Sequence, residues 1–346
     1  MKMPLQLEKM MFGFVESQVL FVSRQIGLFD YLAEKDGSTV RQASLDLNLP
    51  QSSLERLLIC ALCIGLLKKE DERFFLSPEF SSFLSRQGRH YCGDRFSHYW
   101  KTTYPIFQHL IDALHEDKPQ WNKLAGQVSH SMDPRSVYVN AIYSDERSTR
   151  EFLDTMWASG YPDSRDLCAR YPFAEYKRMV DLGGATGSFA IAALQCNPLL
   201  ETVIMDFPNI KPYAENQFRL YNLAQRAEFH AGDMFVDILP EGDIYVLGYI
   251  LSDWEDSVSL SLIRKVYDSL PENGLIIILE KLFEEDKSGP YLTAMLNLTM
   301  LLEMYGTLRS AADYHDWLRQ TGFSDIKTIR SAGEKHMIVG KKISGA

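Results

Sequence analysis

Three acidic residues, Asp181, Asp206 and Asp233, stand at or near the ends of short apolar runs, and each is followed by residues suited to a ligand. Asp181 leads into Leu182-Gly183-Gly184-Ala185-Thr186-Gly187, Asp206 into Phe207-Pro208, and Asp233, preceded by Gly232, into Met234-Phe235. A glycine turn lets the backbone bend sharply and lets a ligand approach where a Cβ would collide. Alone, such a turn is equally well a tight connection between core elements. The second acid shifts the balance, because Asp206 ends the run Thr202-Val203-Ile204-Met205 and lies 19 residues after Gly187. A carboxylate at that place can accept both hydroxyls of a ribose. Asp233, with an apolar side chain after it, suits the edge and face of an adenine. Three successive strand ends then converge on one adenosine.

The phosphates of the common nucleotides find no match. A dinucleotide fingerprint needs a glycine two residues before Gly184, and that position is Leu182. No phosphate-binding GxxxxGK[ST] loop is present, and no Lys or Arg occurs between Arg178 and Lys211. NAD or FAD is the weaker reading, and S-adenosylmethionine, an adenosine without phosphates, the better one.

The elements that must carry these residues are legible around them. Met179, Val180 and Leu182 form a strand, and helical spacing follows from Ser188 to Leu194. Further strands are expected at Thr202–Asp206, through Phe229 and His230, at Asp243–Gly248 and at Leu275–Glu280, with a helix at Val258–Leu270. Alternating strands and helices predict a parallel, doubly wound α/β sheet that binds ligands at the carboxyl ends of its strands. Phe323–Thr328 and His336–Lys341 close it as a pair. Asp145–Arg170 reads as a charged amphipathic helix, with Gly160-Tyr161-Pro162 as a place where it would break.

The N-terminal part is different. Met10, Met11, Phe14, Val15, Leu20, Phe21, Ile26 and Phe29 keep helical spacing and make a wide apolar stripe, readable as core or as a dimer interface. Two helices joined at Leu49-Pro50 follow, the second capped by Ser52 or Ser53, and then a hairpin, Leu66–Glu70 with Arg73–Leu76. That is a winged-helix pattern, yet Ser53–Cys60 offers a single arginine where a helix for the major groove needs Arg, Lys, Asn or Gln. His98, near Trp100 and Tyr104, reads either as a solvated core histidine or as the wall of a pocket for a flat substrate. Met295, Met300, Met304 and Tyr305 read equally as core or as an acceptor wall.

The chain has 346 residues, 46% apolar and 24% charged, with a net charge of −10. The length suggests about two domains, and the charge argues against nucleic acid or an anionic membrane as partner. Cys60 and Cys63 imitate C-x-x-C but lie in an apolar helical run with no second pair, so they are expected as packing thiols. No zinc pattern, signal peptide or membrane-spanning run is apparent, and a reduced, cytoplasmic protein is expected.

Taken together, Ser17–Phe21, Gly27–Asp30, Asp181–Gly184, Asp206–Pro208, Gly232–Phe235, Asp253-Trp254 and Asp286–Pro290 resemble the plant-type small-molecule O-methyltransferases that use S-adenosylmethionine. The similarity runs over nearly the whole chain and is greatest to the acetylserotonin (hydroxyindole) branch. It implies a class I methyltransferase, Rossmann-like sheet at 166–346, a helical linker and substrate region at 101–165, and a winged-helix dimerisation domain at 1–100. It also implies a homodimer and a small-molecule acceptor drawn from secondary metabolism. Carried across residue by residue, it places Asp206 and Phe207 at the ribose and Asp233, Met234 and Phe235 at the adenine. Asp181, Gly183, Gly184 and Gly187 fall beneath the methionine part, with Tyr143 and Tyr249 also at the cofactor. Apart from that carry-over, His98, Trp254, Met295 and Met304 are the candidates for the acceptor's walls. The family's general base is a histidine directly before Asp-Trp, which here is Ser252. Glu280 matches one flanking glutamate, whereas Leu308-Arg309 stands where the second is expected. The catalytic candidates are therefore Ser252 and Glu280. O-methylation by orientation without a histidine base is the leading expectation. N-, S- or C-methylation and a binding-only role are the alternatives.

Overall fold

The computed structural model describes residues 3–124, 142–143 and 145–343, which divide after Pro105 into two compact units. Of the segment expected as a helical linker, residues 125–141 and 144 lie outside the described residues.

The first unit begins with helices Leu5–Gln25 and Leu28–Glu34, separated by Gly27 in the left-handed conformation (φ 74°). Helices Val40–Asp46 and Gln51–Cys63 follow, with a three-stranded antiparallel sheet of β1 (Ser38–Thr39), β2 (Leu67–Glu70) and β3 (Arg73–Leu76) in the order β1-β3-β2. The winged-helix pattern is thus present, including the expected hairpin. The cap of the second helix is not the expected one. Pro50 occupies the N-cap, and Ser53 and Leu54 donate to its carbonyl, so Ser52 and Ser53 fall inside the first turn. Cys60 and Cys63 are exposed rather than packed, because Leu54, Leu58 and Ala61 already provide the buried face of that helix.

The second unit is built on a seven-stranded sheet of order β11-β12-β8-β7-β4-β5-β6. Its strands are β4 (Arg178–Leu182), β5 (Glu201–Asp206), β6 (Ala227–Ala231), β7 (Ile244–Gly248), β8 (Leu275–Glu280), β11 (Phe323–Ile329) and β12 (His336–Lys342). The short strands β9 (Leu282–Phe283) and β10 (Arg309–Ser310) pair separately. β4 to β8 run parallel, and at one edge β12 is added antiparallel to β8 and β11 antiparallel to β12. Strands covered on both faces become continuous apolar runs, and β8 shows why. Leu275, Ile277 and Leu279 join the core with Phe189, Leu194 and Leu167, while Ile276 and Ile278 join Leu262, Ile263, Val266 and Leu318 on the other face.

Helix Glu146–Arg170 is continuous through Pro162, against the expected break. Proline removes one helical hydrogen bond. Here the burial of Leu153, Gly160, Ser164 and Leu167 on one face, against helix Ser188–Cys196, holds the helix together.

Candidate active site

Where β4, β5, β6 and β7 end, the chain forms an open cleft. Its wall takes Gly183 and Ala185 from the turn after β4, and Met205, Asp206 and Phe207 from β5. Gly232 to Phe235 enter after β6, Gly248 to Ile250, Asp253 and Trp254 after β7, and Tyr143, Phe152 and Met156 from the other side. Of the candidate residues, Tyr143, Gly183, Asp206, Phe207, Asp233, Met234, Phe235, Tyr249 and Trp254 line this one cleft.

The turn after β4 is shaped by its backbone. Gly183 and Gly187 take left-handed conformations (φ 66° and 84°), and Ala185 does so at φ 50°. A non-glycine residue there costs about 1–2 kcal/mol. The cost at Ala185 is offset by its N–H, which donates to Asp206 Oδ2 at 2.9 Å. A Cβ on Gly183 would stand 2.6 Å from Ile250 Cδ1 and 3.0 Å from Met234 Cε, the movable ends of two side chains, so what favours glycine there is the left-handed backbone more than the space. Asp181, at the end of β4, and Gly184 and Gly187, within the turn, do not line the cleft, and a Cβ on Gly184 would meet Asp181 Cγ at 2.6 Å.

Asp206 is the fixed point. Its Oδ1 accepts the Phe207 N–H at 2.7 Å and its Oδ2 the Ala185 N–H. Burial raises its pKa to about 6, against the pull of those two N–H groups. Asp233 Oδ1 accepts the Phe235 N–H at 2.9 Å, which shapes the next turn. Aromatic rings frame the cleft: Phe235 lies 4.5 Å from Trp254, and Tyr143 packs edge-on against Phe152 and Phe207.

Among the described residues, no lysine or arginine lines this wall, which instead holds three carboxylates and several aromatic faces. A phosphate would meet no cation there. A nucleoside carrying a sulfonium fits, because carboxylates and ring faces both attract a cation.

Ser252 and Glu280 sit deeper, 3% and 0% exposed, and outside the lining of the cleft. The Ser252 N–H donates to Glu280 Oε1 at 3.2 Å, whereas Oε2 of this carboxyl has no hydrogen-bond partner among the described residues. Burial first, and the charge of Asp253 second, raise Glu280 to about 8, so it is mostly protonated at neutral pH. Arg309, 5% exposed, ties the neighbourhood together by donating to the carbonyls of Leu251 and Thr307 and stacking on Trp317.

Met304 lines a second cleft, with Asn297, Leu301, Tyr305 and Arg309. Met295 is 44% exposed on helix Tyr291–Glu303, while Met300 is buried. His98 belongs to the first unit, where its ring is edge-on to Tyr99. Phe152 and Met156, four residues apart on one helical face, are cleft residues that the sequence reading missed. Their i,i+4 spacing was the available signal.

Fold and site together define a class I methyltransferase built to hold a sulfonium nucleoside. The chain belongs to the O-methyltransferase family: residues 107–324 match its O-methyltransferase domain and residues 8–86 its dimerisation domain. It is 31% identical to acetylserotonin O-methyltransferase of Macaca mulatta, over 95% of both chains. It is 27% identical to 3-hydroxy-5-methyl-1-naphthoate 3-O-methyltransferase of Streptomyces sahachiroi, over 98% of this chain and 95% of the other. Among solved structures, human N-acetylserotonin methyltransferase in complex with S-adenosylmethionine superposes with a TM-score of 0.87 at 25% identity, over 98% and 97% of the two chains. This chain is accordingly a methyltransferase dependent on S-adenosylmethionine. Among the described residues, no group of side chains is arranged to hold a metal and no helix is long and apolar enough to cross a membrane.

Proposed function

We propose that this enzyme methylates a hydroxyl group on a small planar aromatic or enolic acceptor, with orientation rather than a histidine base supplying most of the rate. The observation that carries this reading is the cleft at the ends of β4 to β7, in which carboxylates and aromatic faces surround a space that no cation lines among the described residues. The names of two relatives indicate fused aromatic hydroxyl compounds as their acceptors, and Trp254 and Phe235 offer this chain's cleft flat faces of the same kind.

S-adenosylmethionine supplies an electrophilic methyl on a sulfonium whose thioether is a good leaving group. Holding donor and acceptor in line can contribute about 7–11 kcal/mol in well-oriented cases. A general base typically adds ~10²–10⁴-fold, most usefully for a phenol with a pKa of ~10. Ser252 cannot act as that base. Glu280, mostly neutral at pH 7, is poorly suited to it as well. The acceptor is therefore an acidic phenol or enol that loses its proton readily, with Ser252 and the largely neutral Glu280 acting from behind the cleft wall by holding Asp253 and Trp254 in place rather than by placing a charge beside it. The same absence of a base favours a second reading, in which the acceptor atom is a ring nitrogen, a thiolate or an activated carbon. The finer partner reading is a homodimer formed through the N-terminal helices.

Ser252→Ala and Glu280→Gln should each lower turnover with the true acceptor by about tenfold, the effect of losing one buried hydrogen bond of ~1.4 kcal/mol in the transition state. Affinity for S-adenosylhomocysteine should be unchanged. Turnover unaffected in both variants would remove these two residues from the reaction. Mass spectrometry of the methylated product decides between oxygen and the other atoms.

A further inference from the structure

The second cleft, the one Met304 lines, carries charges that the reaction described above does not use. It measures about 560 Å³, lies wholly inside the second unit and shares no lining residue with the cofactor cleft. That is the size of a small-molecule site, about 300–1,000 Å³. One side is apolar: Ala294, Leu298 and Leu301, spaced by four and three residues along the helix Tyr291–Glu303, stand on one face, with Phe283 and Met304 beside them.

The other side is made of donors. Lys118, after the helix Leu110–Glu116, and Lys287, after β9, both line the cleft, and neither forms an ion pair among the described residues. Asn297 has its side-chain oxygen committed to the Thr307 hydroxyl and the Leu308 N–H, both at 2.7 Å, so its NH2 is what it can offer a guest. Arg309 completes this side, with its charge matched by Asp256. The cations Lys118, Lys287 and Arg309 face the carboxylates Asp117 and Asp256. The cleft is thus net positive in a chain whose net charge is −10.

The wall it shares with the cofactor cleft is thin. A Cβ on Gly306 would lie 2.5 Å from the Trp254 nitrogen and 2.6 Å from the Asp253 carbonyl carbon, so Gly306 rests directly on the backbone whose side chains line the first cleft. Arg309, donating to the Leu251 carbonyl at 3.2 Å and the Thr307 carbonyl at 2.8 Å, ties the two sides of that wall together.

We propose that this second cleft binds a small amphipathic organic anion, a single carboxylate or sulfonate on an apolar body. The head is drawn by Lys118 and Lys287 and hydrogen-bonded by the Asn297 amide, and the body lies against Leu298, Leu301 and Met304. A cationic guest would be repelled by two lysines that no carboxylate neutralises, and a wholly polar one would leave the apolar side uncovered. The site requires neither the cofactor nor the acceptor, so it stands independently of the reaction proposed above.

The test is fluorescence titration of the protein, saturated with S-adenosylhomocysteine, with anilinonaphthalenesulfonate and with phenylnaphthylamine, the same apolar body without the sulfonate. The sulfonate should bind the wild type at least about tenfold more tightly than the neutral amine. Lys118→Glu with Lys287→Glu should weaken the sulfonate about tenfold and leave the amine unchanged. Both lysines are exposed, so this double variant keeps its core. Ala294→Trp, which fills the apolar side, should weaken both probes. Affinity for S-adenosylhomocysteine should be the same in every variant. Equal binding of the two probes by the wild type, no binding of the sulfonate, or sulfonate binding unmoved by the lysine exchange would overturn the proposal.

Discussion

Asp206 shows how one side chain can serve the fold and the ligand together. Each of its oxygens already accepts one backbone N–H, and a carboxylate has about four acceptor positions, so two remain for ribose hydroxyls. Removing it deletes two charge-assisted bonds of ~1.5–3 kcal/mol each and also frees the Ala185 amide from the turn. Asp206→Ala should therefore weaken S-adenosylhomocysteine binding at least about a hundredfold by calorimetry, and binding within a few-fold of wild type would take Asp206 out of the ribose role. Asp206, Phe207 and Asp233 to Phe235 were legible in the sequence because a strand end followed by a turn fixes where a side chain must emerge. Phe152 and Met156 were not, because which face of a helix meets the cleft depends on what packs behind it. The neutral state expected of Glu280 was equally hidden. An apolar run shows that a glutamate is buried, but that its Oε2 has no partner among the described residues is seen only once the neighbours are in place.

At the scale of elements, the second unit was largely readable, and for a physical reason. Strands buried on both faces must be uniformly apolar, and the glycines and acids that interrupt them mark the turns. What escaped was local and governed by packing. Pro162 remains inside a helix because the flanking turns are buried, and Pro50 takes the cap that the serines after it were expected to provide. The turn after β4 carries its own test. Gly183→Ala would place a methyl in a left-handed conformation against Ile250 and Met234, both of which line the adenosine cleft. The expected cost is about 1–2 kcal/mol of stability from the backbone, with a loss of S-adenosylhomocysteine affinity as the Ile250 and Met234 side chains move aside. A variant that melts lower but binds normally would show that this approach is not needed for the cofactor.

For the whole molecule, the open question is what covers the first half of helix Leu5–Gln25. Leu7, Met10, Met11 and Phe14 follow the i, i+3, i+4, i+7 spacing of one helical face, and each is 48–67% exposed in the single chain. Burial on this helix begins only at Val19. An apolar face of this kind marks an interaction surface, and residues 8–86, which match the O-methyltransferase dimerisation domain, contain most of it. The partner proposed here is a second copy of the chain, since a two-fold axis lets the same stripe cover itself. A stable interface of that type buries about 1,200–2,000 Å² in total, and a charge forced unpaired into its centre costs about 3–5 kcal/mol. The protein should therefore sediment at twice the 39.7 kDa chain mass. Met11→Glu with Phe14→Glu should raise the dissociation constant at least about a hundredfold, enough to give monomer at micromolar concentration. The circular dichroism of the second unit's sheet should be unchanged, because these side chains contribute nothing to its core. A double variant that still sediments as a dimer would place the contact elsewhere and leave the stripe without its proposed occupant.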